Sequence, residues 1–314
     1  MNYLKDYREG EKFVGTYLCK QKQILKTKAG KTYYSLTLQD KTGTADGKIW
    51  ELNNGIANFE PMDYIHCEGM VTSFQGNLQM NISRVRISDE GEYDPADYVP
   101  CTNKDVGEMF SRILKYVASV QNKYLRKILE MYFVENKEFV DAFKKHSAAK
   151  SVHHGFMGGL LEHTLSVTDM CQYFAEHYPM IHRDLLITAA LFHDMGKIQE
   201  ISDFPMNDYT DDGQLLGHIY IGARCMENAA AQIPNFPPKL KNELVHCILA
   251  HHGKMEFGSP KVPAIMEAMA LHMADNVDAK LQTLTEVFTQ AGDNMGWLGF
   301  NRMFESNLRK TSEE

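Results

Sequence analysis

The sequence predicts two domains of different class: a multidomain chain with an N-terminal all-β barrel of five strands, then an all-α helical domain. Three observations predict them. Turn-bounded runs rich in β-branched and aromatic residues fill residues 13–87 and then stop. From Asp105 onward, apolar residues recur at helical spacing and no strand-like alternation returns. Charge and histidine content change at the same place. Residues 1–88 hold 12 Lys/Arg against 9 Asp/Glu, a net +3, whereas the rest holds 21 against 32, a net −11. Only His66 of the 13 histidines precedes residue 140. A mildly basic part followed by an acidic, His-rich part points to different jobs in one chain.

With 314 residues, two domains of ordinary size can each bury a core. Hydrophobic and charged contents of 44% and 24% are those of a soluble globular protein. No apolar run reaches the ~20 residues needed to span a bilayer, and Met1–Asp6 lacks a signal-peptide core, so no membrane partner is expected. Cys19, Cys67, Cys101, Cys171, Cys225 and Cys247 are scattered and form no Cys-x-x-Cys pair, which suits reduced thiols in a cytoplasm rather than a disulfide frame or zinc ribbon.

The strands expected are Phe13–Cys19, Thr32–Gln39, Thr44–Glu51, Tyr64–Thr72 and Leu78–Ile87. They are separated by turn signals at Ala29-Gly30, Asp40–Gly43, Asn53–Gly55 and Gln75–Asn77. Five strands in this length, with a short helix expected over Ile56–Phe59, match a five-stranded OB barrel spanning residues 1–88. The run Tyr34–Gly43 resembles the second strand and turn of nucleic-acid-binding OB domains. Lys20, Lys22, Lys26, Lys28 and Lys31 cluster in the first hairpin, and Tyr17, Tyr33, Tyr34, Trp50 and Phe74 lie on or beside strands. Lysines that track phosphates beside rings that stack bases are how such barrels hold single strands, which makes the five lysines and Tyr33 the candidate substrate contacts. Core packing competes for every ring, because small barrels need large side chains inside.

Residues 89–102 are acidic, carry two prolines and show no periodicity, so they read as a linker to a helical domain over 103–314. Helices are expected at Asp105–Ser119, Lys123–Phe133 and Lys137–His146. The segment Leu185–Phe192 is apolar or small throughout and lacks Gly and Pro, the mark of a helix buried nearly all round. His193 and Asp194 end it, followed by Gly196, a good helix terminator. Burying an imidazole and a carboxylate together costs several kcal/mol unless something pairs with them, and a divalent cation does so. The same pattern recurs. His163 follows Gly158-Gly159 on an amphipathic helix, His218 stands in Leu215–Gly222, His251-His252 end Asn242–Ala250, and Asp275 sits between apolar residues in Met266–Ala279. One such residue reads as a satisfied core histidine; five segments do not. Imidazole and carboxylate without thiolate suit Mn, Fe or Mg rather than a structural zinc.

In this order of His163, His193-Asp194 and Asp275, the sequence resembles the HD metal-dependent phosphohydrolase superfamily over roughly residues 145–290. With the N-terminal barrel and the run His153–Thr164, the whole chain resembles the YhaM-type 3′→5′ exoribonuclease family. The resemblance implies two divalent ions, Mn²⁺ ahead of Mg²⁺, Co²⁺ or Fe²⁺. His163, His193, Asp194 and Asp275 would hold one; Asp194 would bridge to a second held by His218 and by His251, His252 or both. It further implies a metal-dependent exoribonuclease that acts on single-stranded RNA, with single-stranded DNA as a second substrate. Asp194 is then a catalytic candidate. Lys197, one turn beyond His193, neutralises a phosphate or orients Asp194. His154 is expected at the reacting phosphate and His153 against the substrate. The competing readings are an HD enzyme acting on nucleotides or cyclic dinucleotides, and a non-enzymatic single-strand-binding protein. Gly292–Glu314 is expected to cap the helical domain, with contact to a second copy in a homo-oligomer or a substrate path as alternatives.

Overall fold

The computed structural model describes residues 3–74, 77–150 and 154–312. The chain divides into two units, Met1–Cys101 with Phe204–Met206, and Thr102–Asp203 with Asn207–Glu314.

In the first unit, strands β1 (Lys12–Lys26), β2 (Thr32–Asp40), β3 (Gly43–Ile49), β4 (Tyr64–Phe74) and β5 (Asn77–Ile87) close a barrel in the order β1-β2-β3-β5-β4. Neighbours run antiparallel except β3 and β5, which pair in parallel from Asp46↔Gln79 to Lys48↔Asn81. That single parallel contact joins the meander into the closed five-stranded OB architecture. Alternate residues point inward: Phe13, Tyr17, Leu36, Leu38, Ile49, Ile65, Met80 and Val85 form the core. Tyr17 belongs to that core rather than to a binding face, and its hydroxyl donates to the Tyr7 hydroxyl at 3.1 Å. Burying such a ring stabilises the barrel by roughly 1.5–3 kcal/mol.

Three expectations change here. Strand β1 does not stop at Cys19; it continues past a bulge between Cys19 and Gln21 and pairs with β2 as far as Lys26↔Thr32. No helix forms over Ile56–Phe59, because β5 takes the backbone groups there: Ala57 N–H donates to Val85 O and Val85 N–H to Gly55 O, each at 2.9 Å. The stretch read as a linker folds with the barrel unit as far as Cys101. Tyr93 stacks on Tyr64 at 4.0 Å, and Tyr98 and Val99 are buried. Their apolar surface had no periodicity to announce it.

The second unit contains α1 (Val106–Ser119), α2 (Lys123–Glu130), α3 (Lys137–Lys145), α4 (Gly159–His177), α5 (Arg183–Phe192), α6 (Lys197–Glu200), α7 (Asp211–Ala231), α8 (Pro238–Ala250) and α9 (Met266–Gln290). Helix α2 runs into a π-helical turn over Met131–Glu135, so the helix expected to Phe133 ends on a wider turn. Asp105, Asn122, Asn136 and Thr210 accept first-turn N–H groups and start α1, α2, α3 and α7. Helix α5 is the core: Leu185 to Phe192 are all buried, as its uniform apolar sequence predicts. Beyond α9 the expectation that strands do not return is corrected by a small hairpin, β6 (Phe300–Asn301) with β7 (Ser306–Asn307).

Candidate metal centre

Five elements deliver seven donor side chains to one buried place. His163 projects from the buried first turns of α4, His193 and Asp194 follow the last residue of α5, and His218 lies in α7. His251 and His252 follow the last residue of α8, and Asp275 lies in α9. His163 Nε2, His193 Nε2, Asp194 Oδ2 and Asp275 Oδ1 converge. His163 Nε2 lies 3.1 Å from His193 Nε2, 3.3 Å from Asp194 Oδ2 and 3.2 Å from Asp275 Oδ1. The other oxygen of Asp194, Oδ1, faces His218 Nε2 at 3.5 Å and His251 Nε2 at 3.6 Å. A ring nitrogen of His252 completes that second group, whose donor atoms all lie within 4.8 Å of one another.

Each histidine is held by its other nitrogen. His193 Nδ1–H donates to Ala190 O at 2.8 Å and His251 Nδ1–H to Ile248 O at 2.7 Å. Both acceptors are last-turn carbonyls that a helix end leaves without an intrahelical partner, so the helix terminus itself selects the tautomer. The negative end of the helix dipole also favours a cation there. His252 Nδ1–H donates to Phe257 O at 2.8 Å, His218 Nδ1–H to Glu200 Oε1 at 2.9 Å and His163 Nδ1–H to Asp278 Oδ2 at 2.7 Å. With Nδ1 as the donor, the Nε2 atoms of His193, His218 and His251 present lone pairs, and His163 does so once its Nε2 proton is displaced. His218 Nε2, His251 Nε2 and Asp194 Oδ1 are buried without a hydrogen-bond partner among the described residues. Buried orphan acceptors are costly in an empty site and are satisfied by a cation. The residues therefore fit two divalent ions, one on each side of Asp194.

Two glycines make the geometry possible. Gly217 interrupts α7 with φ 73° and ψ 153°, a conformation nearly confined to glycine, and so turns His218 back toward Glu200, which also accepts its N–H at 3.0 Å. Gly196 has φ −64°, so its role is not the left-handed helix termination expected. A Cβ there would stand 2.1 Å from His218 O; glycine permits the close approach of the turn after Asp194 to the α7 kink.

The electrostatics follow from burial among opposite charges. Burial alone would make His163 less basic, but Asp194, Asp275 and Asp278 outweigh it and raise its pKa well above the ordinary value. Burial works against ionising Asp194, yet Lys197 and the histidines hold it well below the usual carboxylate range. Burial pushes His251 down, and His252 is lowered to about 4 by burial and by neighbouring His251. Both stay neutral, as ligands must.

Lys197 is largely buried, and its Nζ donates to Asp194 Oδ2 at 2.6 Å. Of its two expected roles, orienting Asp194 is the one its contact serves. His154 departs from expectation: it is 2% exposed, and its Nε2–H donates at 2.9 Å to Asp278 Oδ2, the same oxygen that accepts from His163 Nδ1. A loop histidine reads as exposed until α9 is seen covering it, and this placement makes it a support for Asp278 rather than a phosphate contact. His154, His163 and Asp278 are joined by hydrogen bonds of 2.9 and 2.7 Å, and His154 Nδ1 is buried without a hydrogen-bond partner among the described residues. His153 lies outside the described residues. Sequence reasoning missed Asp278 and Glu200. The signal was spacing: Asp278 is three residues beyond Asp275 and Glu200 three beyond Lys197, each one helical turn along the same face.

On the barrel, Lys20, Lys26, Lys28 and Lys31 are exposed, and Lys31 faces Glu51 at 3.4 Å. Lys22 is not available to a phosphate: its Nζ donates to Phe59 O and sits over the Tyr34 and Phe59 rings. Tyr33 stacks on Trp50, centroids 4.6 Å apart, on the barrel surface.

The HD domain family model matches residues 160–280, which include all seven donors. The 3′-5′ exoribonuclease YhaM of Geobacillus sp. (strain WCH70) is 32% identical over 257 residues, 81% of this chain and 78% of its own. That of Bacillus subtilis (strain 168) is 32% identical over 81% of each chain, and that of Listeria innocua 32% over 90% of each. Among solved structures, the second OB-fold domain of replication protein A from Methanococcus maripaludis aligns with 29% of this chain and 98% of its own, at 20% identity and a TM-score of 0.24. A buried His/Asp centre inside the HD match, following a closed five-stranded barrel, and relatives that match four-fifths or more of the chain lead to one conclusion: the chain belongs to the YhaM family of 3′–5′ exoribonucleases.

Proposed function

We propose that this protein shortens single-stranded RNA from its 3′ end, releasing nucleoside 5′-monophosphates, with two divalent ions held side by side in the helical unit. The observation that carries the reading is Asp194, which turns Oδ2 to His163 and His193 and Oδ1 to His218 and His251. A carboxylate so placed would offer one oxygen to each of two cations. When bound, such a pair supplies Lewis-acid stabilisation of the phosphate oxygens and lowers the pKa of water between them. The chain does the positioning. Lys197 holds Asp194 ionised and aimed, Glu200 and Asp278 hold His218 and His163 in the liganding tautomer, and His154 holds Asp278. Five imidazoles and two carboxylates form a mixed nitrogen–oxygen set that supports Mn²⁺, with Fe²⁺, Co²⁺ and Mg²⁺ as the comparators. The exposed hairpin lysines and the Tyr33–Trp50 stack support a single strand as the substrate. All six cysteines are free, which supports a reducing, cytoplasmic setting.

The test is to incubate Mn²⁺-loaded protein with 5′-labelled single-stranded RNA carrying a free or a phosphorylated 3′ end, beside single-stranded DNA, nucleoside triphosphates and cyclic dinucleotides. A ladder shortening from the free 3′ end, with 5′-monophosphates as products, is the expected result. Faster consumption of nucleotides or cyclic dinucleotides than of RNA would replace the reading.

A further inference from the structure

Beyond α9 the chain builds a second surface that the metal centre does not use. Trp297 is 69% exposed and Phe300 66% exposed. The hairpin is closed by Leu298 N–H to Leu308 O at 2.9 Å and by the β6–β7 pairing, so both rings are carried on ordered backbone. The Arg309 guanidinium lies 6.0 Å from the centroid of the Trp297 ring. A cavity of about 500 Å³ opens beside them, lined by Leu284, Phe288, Trp297, Asn307, Arg309 and Lys310.

Two exposed rings on one hairpin carry a large desolvation incentive, and their surroundings say what they fit. Residues 291–312 contain Arg302, Arg309 and Lys310 against Asp293 and Glu305, a net positive charge. The chain beyond residue 88 is otherwise strongly acidic. An apolar partner surface would need neither the guanidinium over the indole nor the local reversal of charge. A nucleobase flanked by phosphates uses both, since it stacks on the ring while Arg302 and Arg309 meet its backbone; the Lys310 ammonium donates to Gly292 O instead. The position suits this too. Phe288 lies ten residues beyond Asp278 on the same helix, roughly 15 Å along its axis. A strand whose 3′ end is at the metals passes such a platform several nucleotides upstream.

We propose that Trp297, Phe300 and Arg309 form a stacking subsite for single-stranded RNA, upstream of the terminal nucleotide. This inference rests on the exoribonuclease reading, and its test separates the two.

Kinetics are measured on the full metal-loaded chain with an RNA of about 15 nucleotides and with a dinucleotide. Trp297→Ala is expected to raise KM for the longer strand about tenfold and to leave dinucleotide turnover within about twofold. Trp297→Phe, which keeps a ring, should restore most of the loss, and Arg309→Ala should show an intermediate rise. Unchanged KM in a folded Trp297→Ala/Arg309→Ala protein would overturn the subsite. So would a rise in KM that tracks a change in sedimentation, since the patch would then be a contact between copies. Failure of the wild type to shorten any RNA would fail the exoribonuclease reading instead. The subsite is then read by binding: the chain has two tryptophans, and Trp50→Phe leaves Trp297 alone. Quenching of its fluorescence by the longer strand with non-hydrolysable phosphorothioate linkages, and not by the dinucleotide, supports the subsite; no quenching by either overturns it.

Discussion

The barrel and the helical unit keep their functional groups at opposite ends of the exposure scale. Lys20, Lys26 and Lys28 stand in solvent on a hairpin and make no ion pair among the described residues. His163, His193, Asp194 and His251 are at most 2% exposed, each with more than one polar neighbour. Exposed lysines are interchangeable point charges whose contributions to holding a strand are screened by salt and add nearly independently. Buried ligands are a single object, since each fixes the protonation and direction of the next. On the proposed reading the chain would therefore grip its substrate by a sum and perform its chemistry by a product, and each prediction tests that contrast.

The largest effect is expected at the shared carboxylate. On the two-ion reading Asp194→Ala removes a ligand from both positions and the partner of Lys197, so turnover should fall on the order of 10³-fold or more while RNA affinity holds. Single-turnover kinetics and filter binding on protein checked by circular dichroism decide it. Near-normal turnover would remove the two-ion reading.

Next are the residues that hold ligands. Glu200→Gln and Asp278→Asn should each weaken metal binding by about 10–100-fold and be rescued by excess Mn²⁺. The two are expected to differ in which ion is lost, Glu200→Gln affecting the one near His218 and Asp278→Asn the one near His163. Metal stoichiometry by calorimetry checks this, and equal, small losses at both ions would count against separate positions.

A smaller effect concerns pH. In the metal-free protein the raised pKa of His163 adds stability that is complete below about 6.5 and is lost as pH rises through the folded value. The lowered pKa of Asp278 adds stability that is complete above about 3.9 and is lost as pH falls through its folded value. An ion near His163 must displace that proton, so its affinity should climb with pH above neutrality. His252, neutral down to about 4, and His251, also lowered, impose no such competition on the other ion over that window. Thermal melts of chelated and Mn²⁺-loaded protein should converge toward mildly acid pH, where the His163 proton competes with the ion, and separate as pH rises to mildly alkaline. A stabilising increment from Mn²⁺ that ignores pH would refute the assignment.

The smallest single effects belong to the hairpin. Lys20→Ala, Lys26→Ala and Lys28→Ala should each reduce the log–log salt slope of RNA binding by about 0.7, nearly additively. Lys22→Ala should leave that slope alone, because its ammonium is already committed to Phe59 O and two rings. A slope change at Lys22 equal to that at Lys26 would mean the hairpin opens when it binds.

Local pattern carried much of this protein. Alternation and turn residues announced the five strands, a uniformly apolar run announced α5, and His or Asp within or at the ends of apolar helices pointed to the seven side chains that the helical unit brings together, because these are properties of neighbours in the chain. What neighbours could not announce was anything set by a partner far along it. The Ile56–Phe59 stretch lies extended because β5 takes its hydrogen bonds, and Tyr98 is buried because the barrel offers it a surface. Lys22 is occupied by a carbonyl 37 residues away, and His154 is enclosed by a helix 124 residues away. Even the division of Asp194 between two groups of histidines is tertiary: an adjacent His-Asp pair states which atoms are available, and only the meeting of α4, α7, α8 and α9 around it decides where each oxygen points.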